Sequence, residues 1–288
     1  MTTKRGATRR NRRSLSATAR RTVGFVGGGN MATALIRGLI SAGLYGADQI
    51  QASDVDPAKR AALRRRLKVA CTPNNVALVQ EARVIFLAVK PQIIDEVLAP
   101  LREHVTPRQL FISIAAGVPT ARLERGLGSQ ARVVRVMPNT PALLGKGMSV
   151  IVRGSRATAA DERLAVRLFR AVGRAVAVWD ESLLDAVTGL SGSGPAYVYL
   201  FAEALIAGGV AAGLPAALAS ELAYQTLGGA TTMLQETGES PETLRAQVTS
   251  PGGTTLAGLT ELDRRGFKEA VATAVVTATR RSQELGRG

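Results

Sequence analysis

The residues best suited to chemistry lie in two glycine-rich runs. The first, Val187-Thr188-Gly189-Leu190-Ser191-Gly192-Ser193-Gly194-Pro195-Ala196-Tyr197, reads as a loop that empties directly into a helix beginning at Pro195. Proline fits a first helical turn, where its missing N–H is not needed. The serines and glycines before it leave backbone N–H groups open at the positive end of the helix dipole, which makes a receptor for a small anion such as a carboxylate. Taken alone, the run is equally an ordinary helix cap with flexible glycines.

The second run is Gly27-x-Gly29-x-x-Ala32. It closes the β-rich stretch Thr22-Val23-Gly24-Phe25-Val26-Gly27 and opens Asn30-Met31-Ala32-Thr33-Ala34-Leu35-Ile36, whose apolar spacing is helical. A pattern of this kind is weak by itself, but between a first strand and a first helix it meets the condition for a dinucleotide fingerprint. Gly27 supplies the turn, Gly29 lets a pyrophosphate approach the backbone, and the small Ala32 allows close helix–sheet packing. About 22 residues after Ala32, the strand Gln49-Ile50-Gln51-Ala52-Ser53-Asp54 ends in an acid where the adenosine ribose should lie.

Composition narrows the chemistry. A chain of 288 residues, 46% hydrophobic and 20% charged, is a folded globular protein with room for two cores. Cys71 and His104 are the only cysteine and histidine, which excludes an intrachain disulfide, a cysteine- or histidine-built metal site and a His–Asp relay. Whatever chemistry occurs runs without a His–Asp relay or a zinc centre, unless a cofactor brings the reactivity. His104, in the polar helix end Arg102-Glu103-His104-Val105-Thr106-Pro107, reads as a surface residue.

The net charge of +15 is uneven, because Lys4, Arg5, Arg9, Arg10, Arg12, Arg13, Arg20 and Arg21 fall in an acid-free segment, 1–21. That segment reads as a disordered tail. Its Arg- and Ser-rich composition matches an organellar transit peptide. The abundance of Arg and Ala throughout the chain favours instead an upstream extension of a high-GC gene, and with it a cytoplasmic protein. No aromatic residue interleaves the tail to stack on bases, which argues against a nucleic-acid partner. Residues 196–219 are apolar and long enough to cross about 30 Å of membrane. Glu203 interrupts them, however, and Gly208, Gly209, Gly213 and Pro215 break them, so they read as a helix buried on all sides in a soluble protein. In a small C-terminal domain such a helix calls for burial against another chain.

The elements that position these runs alternate. Arg83-Val84-Ile85-Phe86-Leu87-Ala88-Val89 is a near-continuous apolar run, as a parallel strand buried on both faces requires, and it ends at Lys90-Pro91. Gln109-Leu110-Phe111-Ile112-Ser113-Ile114 and Arg132-Val133-Val134-Arg135-Val136-Met137 repeat the pattern, ending at Ala115-Ala116-Gly117 and at Pro138-Asn139-Thr140-Pro141. Ligands in such sheets sit at the carboxyl ends of the strands. A last strand spans 174–179, closed by Trp179, and six helices are expected over roughly 182–189, 195–211, 215–237, 241–248, 254–264 and 267–285. The fold class is therefore α/β: a basic tail (1–21), a Rossmann-like dinucleotide-binding domain (22–180) and an all-helical substrate-binding and dimerisation domain (181–288).

Taken together, Val23 to Met31, Phe86 to Pro91, Ala115 to Val118, Met137 to Pro141, Asp185 to Tyr197 and Val248-Thr249-Ser250-Pro251-Gly252-Gly253-Thr254-Thr255 resemble the pyrroline-5-carboxylate reductases, in family order and over everything but the tail. The resemblance implies reduction of 1-pyrroline-5-carboxylate to L-proline, the last step of proline biosynthesis, with NADPH or NADH. It further implies a homodimer with an interlocking helical domain, and larger rings of dimers. Cofactor contacts are implied for Val26, Gly27, Gly28, Gly29, Asn30, Met31, Ser53, Asp54, Asn75, Ala88, Val89, Lys90, Pro91, Ala115, Ala116 and Asn139. Substrate contacts are implied for Glu181, Ser193, Gly194, Gly253, Thr254 and Thr255.

Reduction of a cyclic imine by hydride at C5 needs that carbon held against the nicotinamide and the protonated imine favoured. A hydroxyl beside the ring nitrogen suffices, and Thr255, at a helix start after Gly253, matches the family position for it. Backbone N–H groups of Gly253 and Thr254, with those of Ser193 and Gly194, are suited to the substrate carboxylate. Thr255 is also readable as a plain N-cap.

Two residues depart from the family pattern. Many relatives carry Ser, Asn or a basic residue where Asp54 stands; a carboxylate there would repel an adenosine 2′-phosphate and bond a free ribose diol, while Arg60 could still reach a phosphate. Gln247 replaces an Asn that some relatives place near the substrate. A β-hydroxyacid dehydrogenase or imine reductase of the same architecture is a rival, but the hydroxyacid enzymes use a Lys in the second domain. The sole Lys after Trp179 is Lys268, on a late helix. A non-catalytic dinucleotide- or nucleic-acid-binding protein is a second rival, and the presence of the whole Ser191-Gly192-Ser193-Gly194-Pro195 and Pro251-Gly252-Gly253-Thr254-Thr255 set argues against it.

Overall fold

The computed structural model describes residues 22–287, so the basic segment 1–21 lies outside the described residues. Strands and helices alternate as β1 (Val23–Val26), α1 (Asn30–Ser41), β2 (Ile50–Ser53), α2 (Pro57–Leu67), β3 (Ala70–Thr72), α3 (Asn75–Glu81), β4 (Val84–Leu87), α4 (Ile94–Leu98), β5 (Leu110–Ser113), α5 (Thr120–Leu127), β6 (Arg132–Pro138), β7 (Gly147–Arg153), α6 (Ala159–Phe169) and β8 (Gly173–Ala177). They build one sheet ordered β3-β2-β1-β4-β5-β6-β7-β8. β1 to β6 are parallel, as a Rossmann-like domain requires.

All four residues of β1, of β4 and of β5 are buried, because helices cover both faces of the sheet. On one face Phe25 stacks on Phe86, ring centroids 4.4 Å apart, with Phe169 of α6 tilted against them. On the other, Ile85, Leu87 and Phe111 meet Ile94 and Leu98 of α4 and Leu123 of α5. The register sets Val26 opposite both Ser53 and Leu87, and Leu87 opposite Ser113. The carboxyl ends of β1, β2, β4 and β5 thus finish level, forming one rim for a ligand.

Two strands escape the sequence reading. β3 has only three half-buried residues, too few to show a period, and β7 runs antiparallel to β6. β8 pairs parallel with β7 and ends at Ala177, so the expected strand end at Trp179 is corrected: Trp179 lies past the strand and is 89% exposed. At Gly173, φ is +145°, and a Cβ would run into the backbone of its partner Gly147. That pair needs glycine.

The chain then becomes wholly helical: α7 (Leu183–Val187), a π-helical turn over Thr188–Gly192, α8 (Gly194–Ala211), α9 (Ala216–Glu236), α10 (Pro241–Gln247), α11 (Thr254–Arg264) and α12 (Phe267–Arg287). α8 packs on α9, and α12 returns to α7 and the π turn. There the Ser282 hydroxyl donates to Asp185 at 2.7 Å. A side chain at Gly189 would collide with Thr279 and the Val275 carbonyl, which is why this turn carries glycine. The expectation that residues 196–219 form a helix buried on all sides is corrected: only Ala202 of α8 is buried within the chain, while Leu200 is 66% exposed. Leu183–Ala211 has the length and apolarity to cross a membrane. The Glu203 and glycine breaks, and the exposed apolar residues of α9, α11 and α12 beside it, fit a face shared with another protein chain.

Candidate active site

The dinucleotide half of the site is built on the strand rim. Gly27 has φ +101°, and a Cβ there would lie 2.5 Å from the Ala88 carbonyl oxygen and 3.1 Å from Val89. Its N–H donates to the Ser53 carbonyl at 2.7 Å, and the Ala88 N–H donates to the Val26 carbonyl at 2.8 Å. Val26, Gly27, Ser53 and Ala88 therefore lock the rim together through backbone, with the Val89 side chain beside Gly27. Gly29 caps α1 with extended backbone, no side-chain cap and no acid in the first turn, and nothing lies within 4 Å of where its Cβ would be. This is a cradle with open N–H groups, and it fits a pyrophosphate. Asn30 is exposed and Met31 partly buried in that first turn.

Around the rim, Asn75 opens α3 behind its cap Asn74, Lys90 is exposed, and Pro91 begins a short 3-10 turn. Ala115 is buried and Ala116 exposed after β5.

Two of the side chains assigned to the cofactor from the sequence are engaged within the chain. The Ser53 hydroxyl is fully buried and faces the Phe25 carbonyl at 3.4 Å, so this residue serves the rim through its main chain. Asn139 has both ends of its amide engaged: its oxygen accepts the Met148 N–H at 2.8 Å, and its nitrogen donates to the Ser191 carbonyl at 3.1 Å. It ties β6, β7 and the π turn together. Asp54 stands at the end of β2, as expected, and its carboxylate accepts the Gly28 N–H and the Asp56 N–H, each at 2.9 Å. Gln247 donates to Glu239 at 2.6 Å.

On the substrate side, the loop expected from Val187 to Gly194 is helical. Thr188–Gly192 is π-helical, and the Ser193 N–H donates to the Thr188 carbonyl at 2.8 Å. The expectation that this N–H stands open for an anion is thereby corrected, since a π turn satisfies the group internally. The Ser191 hydroxyl, by contrast, is buried without a partner among the described residues. A ligand group would relieve that cost.

Gly253 caps α11 with φ −79° and ψ 168°, and neither it nor an acid fills the first turn. Gly252, at φ +70°, makes the preceding turn, in which the Gly253 N–H donates to the Ser250 carbonyl at 3.0 Å, so the expectation that this N–H stands open for a carboxylate is corrected. Thr254 is exposed and Thr255 half-buried, and the Thr255 hydroxyl makes no hydrogen bond among the described residues, so it is not a cap. Within the chain α11 packs chiefly on α12, and no hydrogen bond links residues 253–255 to the sheet domain among the described residues.

Glu181 sits elsewhere. Its carboxylate takes the Thr120 N–H and hydroxyl and the Arg135 guanidinium, at 2.8, 2.6 and 2.9 Å. Thr120 and Arg135 were not singled out from the sequence. Arg135 left a signal all the same, a cation in the centre of an apolar strand that had to find a buried partner.

Burial pushes the Cys71 thiol up, with Arg64 and Arg60 opposing that shift more weakly. That direction leaves less thiolate than a free cysteine carries and lowers its reactivity as a nucleophile. His104 meets Gln80 at the surface, 3.2 Å away. No group of three His, Cys, Asp or Glu among the described residues could hold a metal ion.

Comparison with known proteins places this geometry. Residues 181–285 match the family described as pyrroline-5-carboxylate reductase dimerisation, and residues 22–117 match NADP oxidoreductase coenzyme F420-dependent. A pyrroline-5-carboxylate reductase from Synechocystis sp. is 45% identical over 265 residues, covering 92% of this chain and 98% of that protein. The solved pyrroline-5-carboxylate reductase of Coxiella burnetii has 36% identity and a TM-score of 0.86, covering 92% of this chain and 98% of that one. A Plasmodium falciparum pyrroline carboxylate reductase, solved with NADP bound, has 31% identity and a TM-score of 0.84, covering 93% and 99%. This chain belongs to the pyrroline-5-carboxylate reductase family.

Proposed function

We propose that this protein reduces 1-pyrroline-5-carboxylate to L-proline, with the dinucleotide on the Gly27–Gly29 rim and the substrate at the Gly253–Thr255 helix start. When bound, the nicotinamide supplies the hydride that adds to C5 of the ring. The observation that carries the reading is the pair of open helix N-termini. α1 follows its cap residue Gly29 and α11 its cap residue Gly253, both without a side-chain cap bond and without an acid in the first turn. One suits a pyrophosphate and the other a carboxylate.

Thr255 is the residue proposed to act on the substrate. Its unengaged hydroxyl can donate to the ring nitrogen as that atom changes from planar iminium to tetrahedral amine. The main-chain N–H groups at Thr254 and Gly194 hold the carboxylate, and Gly253 shapes the turn, its own N–H being taken by the Ser250 carbonyl. Ser193 contributes through its side chain, because its N–H is already taken. Ala115 and Ala116 border the nicotinamide end of the rim. Glu181 and Asn139 act as positioning residues through Thr120, Arg135 and Ser191.

A second subunit completes the site. Apolar residues of α8 and α9 such as Leu200 and Tyr224 remain exposed within one chain. α11 has no hydrogen-bonded tie to its own sheet domain among the described residues, and a partner's α11 fits that need. Rings of dimers and a cytoplasmic location belong to the same reading, and nucleic acid has no place in it. The test is turnover of pyrroline-5-carboxylate, followed through nicotinamide absorbance with NADH and NADPH separately. Turnover with at least one cofactor is expected, and none with either would overturn the assignment.

A further inference from the structure

We infer that Lys59 is the residue that lets this site accept an adenosine 2′-phosphate beside an acidic β2 terminus: its ammonium neutralises Asp54 in the free protein and passes to the phosphate when an NADP-type ligand binds. The inference rests on the dinucleotide reading above.

An acid at the end of β2 ordinarily repels that phosphate. Here the carboxylate is turned inward. It accepts the Gly28 N–H through Oδ2 and the Asp56 N–H through Oδ1, and its side chain is only 10% exposed. Two backbone donors thus spread its charge, and they tie it to the glycine turn as a structural anchor.

The Lys59 Nζ lies 3.7 Å from Oδ2, beyond hydrogen-bond length, and its side chain is 51% exposed. It is a counter-ion held by charge and free to move. Arg60 differs: its Nη1 donates to the main-chain carbonyls of Asp54 and Val55 at 2.6 and 2.9 Å, so its cation is fixed at the mouth of the β2–α2 turn. Asp56 is occupied as the cap of α2, accepting from the Ala58 N–H at 2.7 Å.

A ribose reaching this corner therefore meets a static, compensated carboxylate, one fixed cation and one mobile cation. A free 2′-hydroxyl can donate to the spare lone pairs of Asp54. A 2′-phosphate cannot, but it can draw Lys59 from a partner already satisfied by two N–H groups.

The experiment is calorimetric titration of the full-length protein with NAD⁺ and with NADP⁺, which differ only in the 2′-phosphate. In Lys59→Gln the NADP⁺ dissociation constant should rise about ten-fold, as for loss of one charge-assisted contact, while that of NAD⁺ stays within about two-fold. Lys59→Arg should restore NADP⁺ binding. The NADP⁺ loss should shrink in high salt, because the contact is exposed. Equal changes for both ligands, or no change, would overturn the assignment to Lys59. Failure of the unaltered protein to bind either dinucleotide would instead overturn the dinucleotide reading.

Discussion

The Glu181 carboxylate accepts the main-chain N–H of Thr120 at 2.8 Å and its hydroxyl at 2.6 Å, joining the first residue of α5 to the chain just after the sheet. The same carboxylate pairs with Arg135, whose side chain is 6% exposed. A second contact reinforces this one: Gly117 lies against Leu285 and Gly286 at the end of α12. The loop between β5 and α5 is thus held from the helical half at its middle and at its junction with α5.

Breaking that clamp should leave a buried guanidinium short of its counter-charge. Glu181→Ala is expected to cost about 3 kcal/mol of stability. Glu181→Gln, which keeps an acceptor for Thr120, should cost about half as much. The mild variant should raise KM for the cofactor more than it lowers kcat, since it loosens a rim loop. Thermal melting and the KM–kcat split measure both, and a Glu181→Gln enzyme with unchanged stability and a selective rise in substrate KM would mean direct substrate contact instead.

For Thr255, a hydroxyl acting on the ring nitrogen contributes more to the transition state than to ground-state binding. Thr255→Val should lower turnover by roughly ten- to a thousand-fold with dinucleotide affinity near normal. Because no side-chain cap bond is formed by this residue, melting should barely move. A full-rate enzyme with lowered stability would remove Thr255 from the chemistry.

The exposed apolar faces of α8, α9 and α12 predict a dimer in sedimentation at micromolar concentration, with an interface of roughly 2,000 Å² or more. Leu200→Glu on α8, where the side chain is 66% exposed in one chain, should break the dimer and abolish turnover together. Dinucleotide binding by the sheet domain should survive. An active monomer would contradict the shared site.

Cys71 should react slowly with maleimide at pH 7, because burial holds its pKa above the ordinary thiol value and leaves little thiolate. The rate should climb as pH rises toward that value. Fast labelling at pH 7 would mean that Arg60 and Arg64 dominate its surroundings.

Sequence alone determined much of this protein. The continuous burial of β4 was legible in Val84-Ile85-Phe86-Leu87, because a parallel strand covered on both faces favours apolar residues at every position. The start of α1 was legible in Gly27, whose φ of +101° demands glycine for a local backbone reason. The family was legible as well, since its glycine- and proline-rich signatures are local strings.

Tertiary structure decided the rest. That Ser193 closes on Thr188, that Asn139 spans from β6 to Ser191, and that Asp54 turns inward to Gly28 depend on residues distant in sequence or on a helix type no local pattern announces. Hydrogen bonds are satisfied wherever folding brings partners together, so a polar side chain's type sets what it can do and only the packed chain sets what it does.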